Sequence, residues 1–242
     1  MGLYDRGYLN NGGQNQTFAS VGFEQQTLSK SDSDIKAFLK QTYQLFAASL
    51  LAGTVGAYVG MGIAPTISSW YWGLVILEFA LLFGLYAVKH KVGINLAVLF
   101  AFTFVSGLTI APLLTSILNM PSGAAIVGNS FLMTSVAFGG LSLFAMSSSR
   151  DFSNIGKMLF IALIIVVVAS LVNIFVGSSM LQLVIASVSA ILFSAFILYD
   201  TQNIIKGAYE TPIEGAIALY LDFFNLFVSL LQIFGILGSS DE

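Results

Sequence analysis

The sequence predicts an all-α integral membrane protein with seven transmembrane helices. Three observations predict it. Of the 242 residues, 57% are hydrophobic and 9% are charged, against roughly 45–50% apolar and about 25% charged in soluble domains. The few charges are clustered and leave four charge-free runs, at residues 41–77, 92–149, 158–199 and 223–240. Finally, all nine Lys and Arg residues fall on one side of the alternating loops that seven spans would create.

Taken in order, the elements follow from the runs. Residues 1–34 read as a polar cytoplasmic tail, with Asn10-Asn11-Gly12-Gly13-Gln14-Asn15-Gln16 as its flexible part. No apolar core lies in the first 30 residues, so the tail is not expected to be a signal peptide. Ser33 or Asp34 offers an N-cap for a first span over 36–60. A span needs roughly 20 apolar residues. The first run breaks near Pro65, and a second span covers 70–88, with Trp70, Tyr71 and Trp72 as an interfacial belt. The run of 58 residues holds two spans, 92–118 and 124–147, separated at Pro121-Ser122-Gly123. The run of 42 holds two more, 155–176 and 180–206, separated at Gly177-Ser178-Ser179. The seventh covers 216–237, within a transmembrane domain of 35–238 that leaves 239–242 as a short tail. Strands are excluded because backbone groups in lipid must be satisfied within a helix or a closed barrel, and barrel strands alternate over about ten residues. Gly53, Gly56 and Gly60 permit a close helix approach, within the chain or to a second copy, and Pro112 with Gly107 marks a kink.

The basic residues Arg6, Lys30, Lys36, Lys40, Lys89, Lys91, Arg150, Lys157 and Lys206 all lie on the N-terminal side. The positive-inside rule then predicts a multi-pass protein of the inner (plasma) membrane, N-terminus in the cytoplasm and C-terminus outside.

Composition also excludes functions. Nine basic against twelve acidic residues leave no surplus for nucleic acid. With no cysteine and one histidine, His90, there is no thiol chemistry, Cys-ligated metal or multi-histidine site. No Lys follows Lys206, so a retinal Schiff base in the last helix is excluded. No nucleophilic or phosphate-cradling constellation is present, and the two buried aspartates lack the Gly-x-Gly-Asp context of an intramembrane protease. The chain is expected not to be an enzyme and to need no cofactor.

Three carboxylates fall inside spans: Glu78, Asp200 and Asp222. An ionisable group at bilayer depth costs several kcal/mol and usually faces the bundle interior. Asp200 lies seven residues before Gly207, and Asp222 lies seven after Gly215. In an antiparallel hairpin both sit roughly 10 Å inside the cytoplasmic end and can face each other. Two carboxylates in contact do not readily both ionise and titrate as a coupled pair. That would make a proton-sensitive latch, a site for a hard cation such as calcium, or simply a hydrogen-bonded tie. Asp200 with Asn203 and Asp222 with Asn225 repeat an Asp-x-x-Asn pattern, which puts carboxylate and amide on one helix face. Glu78 and Lys89 are eleven residues apart, close to three turns, so they share a face. Lys89 is thus expected to reach in and neutralise the aspartates, while Glu78 is an ion-path or a packing residue.

Leu198-Tyr199-Asp200-Thr201-Gln202-Asn203-Ile204-Ile205 and Leu219-Tyr220-Leu221-Asp222-Phe223-Phe224-Asn225-Leu226-Phe227 resemble the two signatures of the Bax inhibitor-1 (transmembrane Bax inhibitor motif) family. The resemblance covers about 36–237 and looks like a bacterial member. It implies seven helices with the last packed centrally. It also implies a pH-sensitive calcium leak with Asp200 and Asp222 as proton sensor and possible calcium ligands, Lys89 as latch partner and Glu78 on the ion path. The implied partners are the bilayer, calcium ions and protons. The alternative is a non-conducting regulator that binds a membrane protease or another protein. It is favoured by the lack of a charged path through the outer half of the bundle. Three features depart from the family: Lys89 and Gln232 stand where relatives often carry Arg, and Ser239-Ser240-Asp241-Glu242 is not a basic tail.

Overall fold

The charge-free runs fold as helices joined by short turns. The structure is a computed structural model that describes residues 32–240. Its helices are α1 (Asp32–Gly62), α2 (Ala64–Ser69), α3 (Tyr71–Val88), α4 (Ile94–Leu118), α5 (Gly123–Ser147), α6 (Gly156–Val176), α7 (Ser179–Ile205) and α8 (Pro212–Ser240), with one 3-10 turn at Ser153–Ile155. All but the six-residue α2 are long and apolar enough to cross a membrane, so the seven expected spans are present. α1 already covers residues 32–34, and so it runs back past both proposed caps, Ser33 and Asp34. The rest of the tails expected over 1–34 and 239–242 lies outside the described residues, apart from the end of α8.

Local chemistry sets the ends. Pro65 in the first turn of α2 brings a φ already suited to a helix. α6 stops at Gly177, which turns left-handed at φ 64° as glycine alone does cheaply. Ser178 then caps α7, its Oγ accepting the Leu181 N–H at 3.2 Å. α8 starts four residues ahead of the predicted 216, because Thr211-Pro212-Ile213-Glu214 is a capping box with proline at the first helical position.

The outward face of α6 exposes Phe160, Ile161, Ile165 and Val168. Such a belt is not sustainable in water and matches the hydrocarbon core of a bilayer. α8 is the central element and packs on α1, α4, α5 and α7. Ala216, Ile217, Leu219, Tyr220 and Leu231 on it are fully buried. α1 lies tightly along α4, and this settles the glycine stripe as an internal seam. A Cβ on Gly56 would run into the Phe104 carbonyl, one on Gly107 into the Gly53 carbonyl, and one on Gly60 to 2.6 Å from Ala111 Cβ.

The loops placed on one side touch one another, as alternating spans require. Gln202 Nε2 donates to the Arg150 carbonyl at 2.7 Å, and its Oε1 accepts the Phe152 N–H at 2.7 Å. Lys206 donates to Asp151 and Ser153. Lys206 and Ser153 together hold the Asp151 carboxyl well below the usual carboxylate range.

Candidate functional site

The antiparallel packing of α7 on α8 brings Asp200 and Asp222 together. Their carboxyl groups lie within hydrogen-bonding reach of each other, both buried. Asn203 lies beside Asp200, one turn along α7. Asn225 keeps its amide on its own helix, Nδ2 donating to the Leu221 carbonyl at 2.8 Å. Asp222 Oδ2 is buried and has no hydrogen-bond partner among the described residues. A third group, which the sequence pattern did not single out, completes the pair. The loop between α7 and α8 turns at Gly207 (φ 67°) and folds Tyr209 back, so that its hydroxyl donates to Asp200 Oδ1 at 2.6 Å. Burial and the adjacent Asp200 carboxylate keep the Tyr209 phenol far above its usual range, so it remains a donor.

Lys89 is placed differently from expectation. Its Nζ sits 2.6 Å from Glu214 Oε1 and 2.7 Å from Glu210 Oε2, rather than on the aspartates. The physical reason is the capping box. Glu214 Oε2 accepts the Glu210 and Thr211 N–H groups at 2.9 and 3.1 Å, which fixes the carboxylate and aims Oε1 at the end of α3. Glu210 and Glu214 raise the Lys89 ammonium above its ordinary value, and Lys89 lowers the Glu210 carboxyl in return. His90 Nε2 lies 3.2 Å from the same Glu210 oxygen.

Glu78 stands near the middle of α3, where Ser106 Oγ on α4 donates to its Oε1 at 2.6 Å. It does not touch the aspartates, but it shares a space with them. A cavity of about 740 Å³ lies between α3, α4, α6, α7 and α8, and Glu78, Asp200, Asp222 and Tyr209 all line it. The cavity continues away from the acids along an uncharged polar lane. Asp222, Asn225, Ser229 and Gln232 recur every three or four residues on α8 and all face it. At its far end Gln182 Nε2 donates to Gln232 Oε1 at 2.7 Å, and Asn173 Nδ2 donates to Gln182 Oε1 at 2.9 Å. Among the described residues, the half of the bundle beyond the acids thus has no charged path but does have a polar one.

Comparison with known proteins agrees with this architecture. Residues 35–239 match the family described as "Inhibitor of apoptosis-promoting Bax1". An uncharacterised protein of Campylobacter jejuni is 53% identical over 237 residues, covering 96% of this chain and 97% of its own. An uncharacterised membrane protein of Vibrio cholerae is 38% identical over 209 residues, covering 84% and 91%. A Golgi anti-apoptotic protein of Vaccinia virus is 33% identical over 205 residues, covering 81% and 84%.

Proposed function

Since the chain belongs to the Bax inhibitor-1 family of membrane proteins, we propose that it is a pH-sensitive calcium leak of the inner membrane, a transport protein and not an enzyme. The observation that carries this reading is the aspartate pair buried at one end of a 740 Å³ cavity that also holds a third acid. In the proposed orientation the basic residues keep the N-terminus in the cytoplasm, so the pair sits near the cytoplasmic end.

Calcium prefers six to eight oxygen ligands when it is held firmly. Among the described residues no group of three or more His, Cys, Asp or Glu side chains could hold a metal. Two aspartates with Asn225 nearby suit an ion that must enter and leave, since conduction needs binding that is favourable but weak. Asp200 and Asp222 are the proposed sensor and ligands, and Glu78 a second station. Tyr209 closes the pair from the loop side. Lys89 acts as latch by holding that loop through Glu210 and Glu214. Protonation of the pair changes its charge, its attraction for the cation and its hydrogen bond to Tyr209 together.

Calcium uptake into proteoliposomes across the acid-to-neutral range tests the proposal. The double variant Asp200→Asn with Asp222→Asn is expected to lose the pH response. An unaltered response in that variant removes the sensor, and uptake no faster than in empty liposomes removes the leak.

A further inference from the structure

We infer that the same cavity binds a lipophilic organic cation, admitted sideways from the bilayer between α3 and α6. The inference goes beyond the calcium reading and does not depend on it, because binding is scored without flux.

The route is visible in the packing. α3 packs on α4 and, near its start, on α2, while its other flank faces α6 across the cavity. Phe79 on α3 and Val167, Leu171 and Ile174 on α6 line the cavity and are also about half exposed. The cavity is open to the surface and not enclosed, and these residues place its mouth in the apolar belt. A ligand that uses it must dissolve in hydrocarbon.

The chemistry inside selects charge. Glu78, Asp200 and Asp222 face the cavity, and no Lys, Arg or His does. An anion would meet three acids with no partner. A zwitterionic phospholipid head would bring its phosphate to the same place. A bare acyl chain would leave the acids unmatched in a low-dielectric site, which is costly. Phe193 and Phe196, with ring centroids 5.9 Å apart, add aromatic faces of the kind that attract a delocalised cation. A volume of about 740 Å³ with mostly apolar walls and a few convergent polar groups fits a small organic ligand.

The test is equilibrium dialysis of purified full-length protein in detergent against tetraphenylphosphonium, with tetraphenylborate as an anion of the same shape. Saturable binding of the cation and none of the anion is expected. Glu78→Gln is expected to weaken cation binding about tenfold or more, as for a buried charge pair that loses one partner. Ser170→Trp fills the cavity from α6 without removing an acid and is expected to abolish binding, with the thermal midpoint of the protein retained. Equal binding of the anion would reduce the cavity to an apolar slot and overturn the proposal. So would the absence of saturable cation binding, or binding that survives Ser170→Trp. Because no calcium is present, failure here leaves the leak reading standing, and loss of flux leaves this one standing.

Discussion

The hydroxyl of Tyr209 donates a 2.6 Å hydrogen bond to Asp200 Oδ1 across a loop that carries no other group into the aspartate pair. This contact ties the α7–α8 connection to the buried acids. Tyr209→Phe keeps the ring in place and removes the donor, leaving a buried carboxylate oxygen short of one partner at a cost of about 1–3 kcal/mol. Calcium uptake by the variant in proteoliposomes at neutral pH is expected to rise several-fold, since the loop loses its hold on the pair. Uptake equal to that of the parent chain would show that the tyrosine plays no part in closure.

The Lys89 clamp is not expected to be the pH sensor. Lys89 holds the Glu210 carboxyl below its ordinary value. The stability this contributes is present above about pH 4.3 and is lost only as pH falls through the lowered folded value. Lys89 itself is raised, so its share is complete below about pH 10.4 and is lost only as pH rises through the raised folded value. Both partners therefore stay charged from mildly acid to neutral pH. Glu210→Gln is expected to change the level of calcium uptake and leave its pH midpoint where it was. A displaced midpoint would move the sensor to the loop.

Gln202 stitches the 148–153 loop to α7 through the Arg150 carbonyl and the Phe152 N–H. Gln202→Ala leaves both groups without that partner. A loss of about 1–3 kcal/mol should appear as a lower thermal midpoint and as faster tryptic cleavage after Arg150. Cleavage at an unchanged rate would mean that the Lys206 contacts to Asp151 and Ser153 hold the loop without Gln202.

The α1–α4 seam predicts a contrast between glycines. Gly107→Ala drives a methyl group into the Gly53 carbonyl and is expected to cost about 1–3 kcal/mol, as overpacking does. Gly128→Ala, where nothing lies within 4 Å, is expected to stay within about 1 kcal/mol of the parent or to gain from helix propensity. Unfolding in detergent followed by circular dichroism compares the two. Equal midpoints would contradict the close approach of the helices.

Much of the fold was legible because membrane spans are written in hydropathy and charge, which are local properties. The seven long helices and the gathering of loops at one end follow from them. α2 was not legible, because six residues of uncharged loop give no periodic signal, although Pro65 marks a helical first turn. The start of α8 lies outside the apolar run, because the Thr211–Glu214 box that begins the helix is polar. That box was the available signal for Glu214. The meeting of Asp200 and Asp222 was readable because a short connection fixes antiparallel neighbours. The partner of Lys89 was not. Its face on α3 follows from helical period, but the choice between Glu214, 125 residues away, and the aspartates depends on where the next loop folds. Tyr209 was hidden for the same reason. The Gln182–Gln232 contact spans two helices whose rotation no single-helix pattern reveals.

Glu214 uses its two oxygens for different tasks, one to start α8 and one to hold the end of α3. A helix cap is worth about 0.5–2 kcal/mol, and each 1.4 kcal/mol is about a tenfold change in a population ratio. Any open arrangement that carries Glu214 away with α3 keeps the ion pair but forfeits the cap, so its occupancy falls by up to about a decade. An arrangement in which Lys89 departs alone gives up the ion pair and keeps the cap. Under the proposed leak, opening is therefore expected to swing α3 away from a stationary α8, with the central helix as the fixed post and the peripheral one as the leaf.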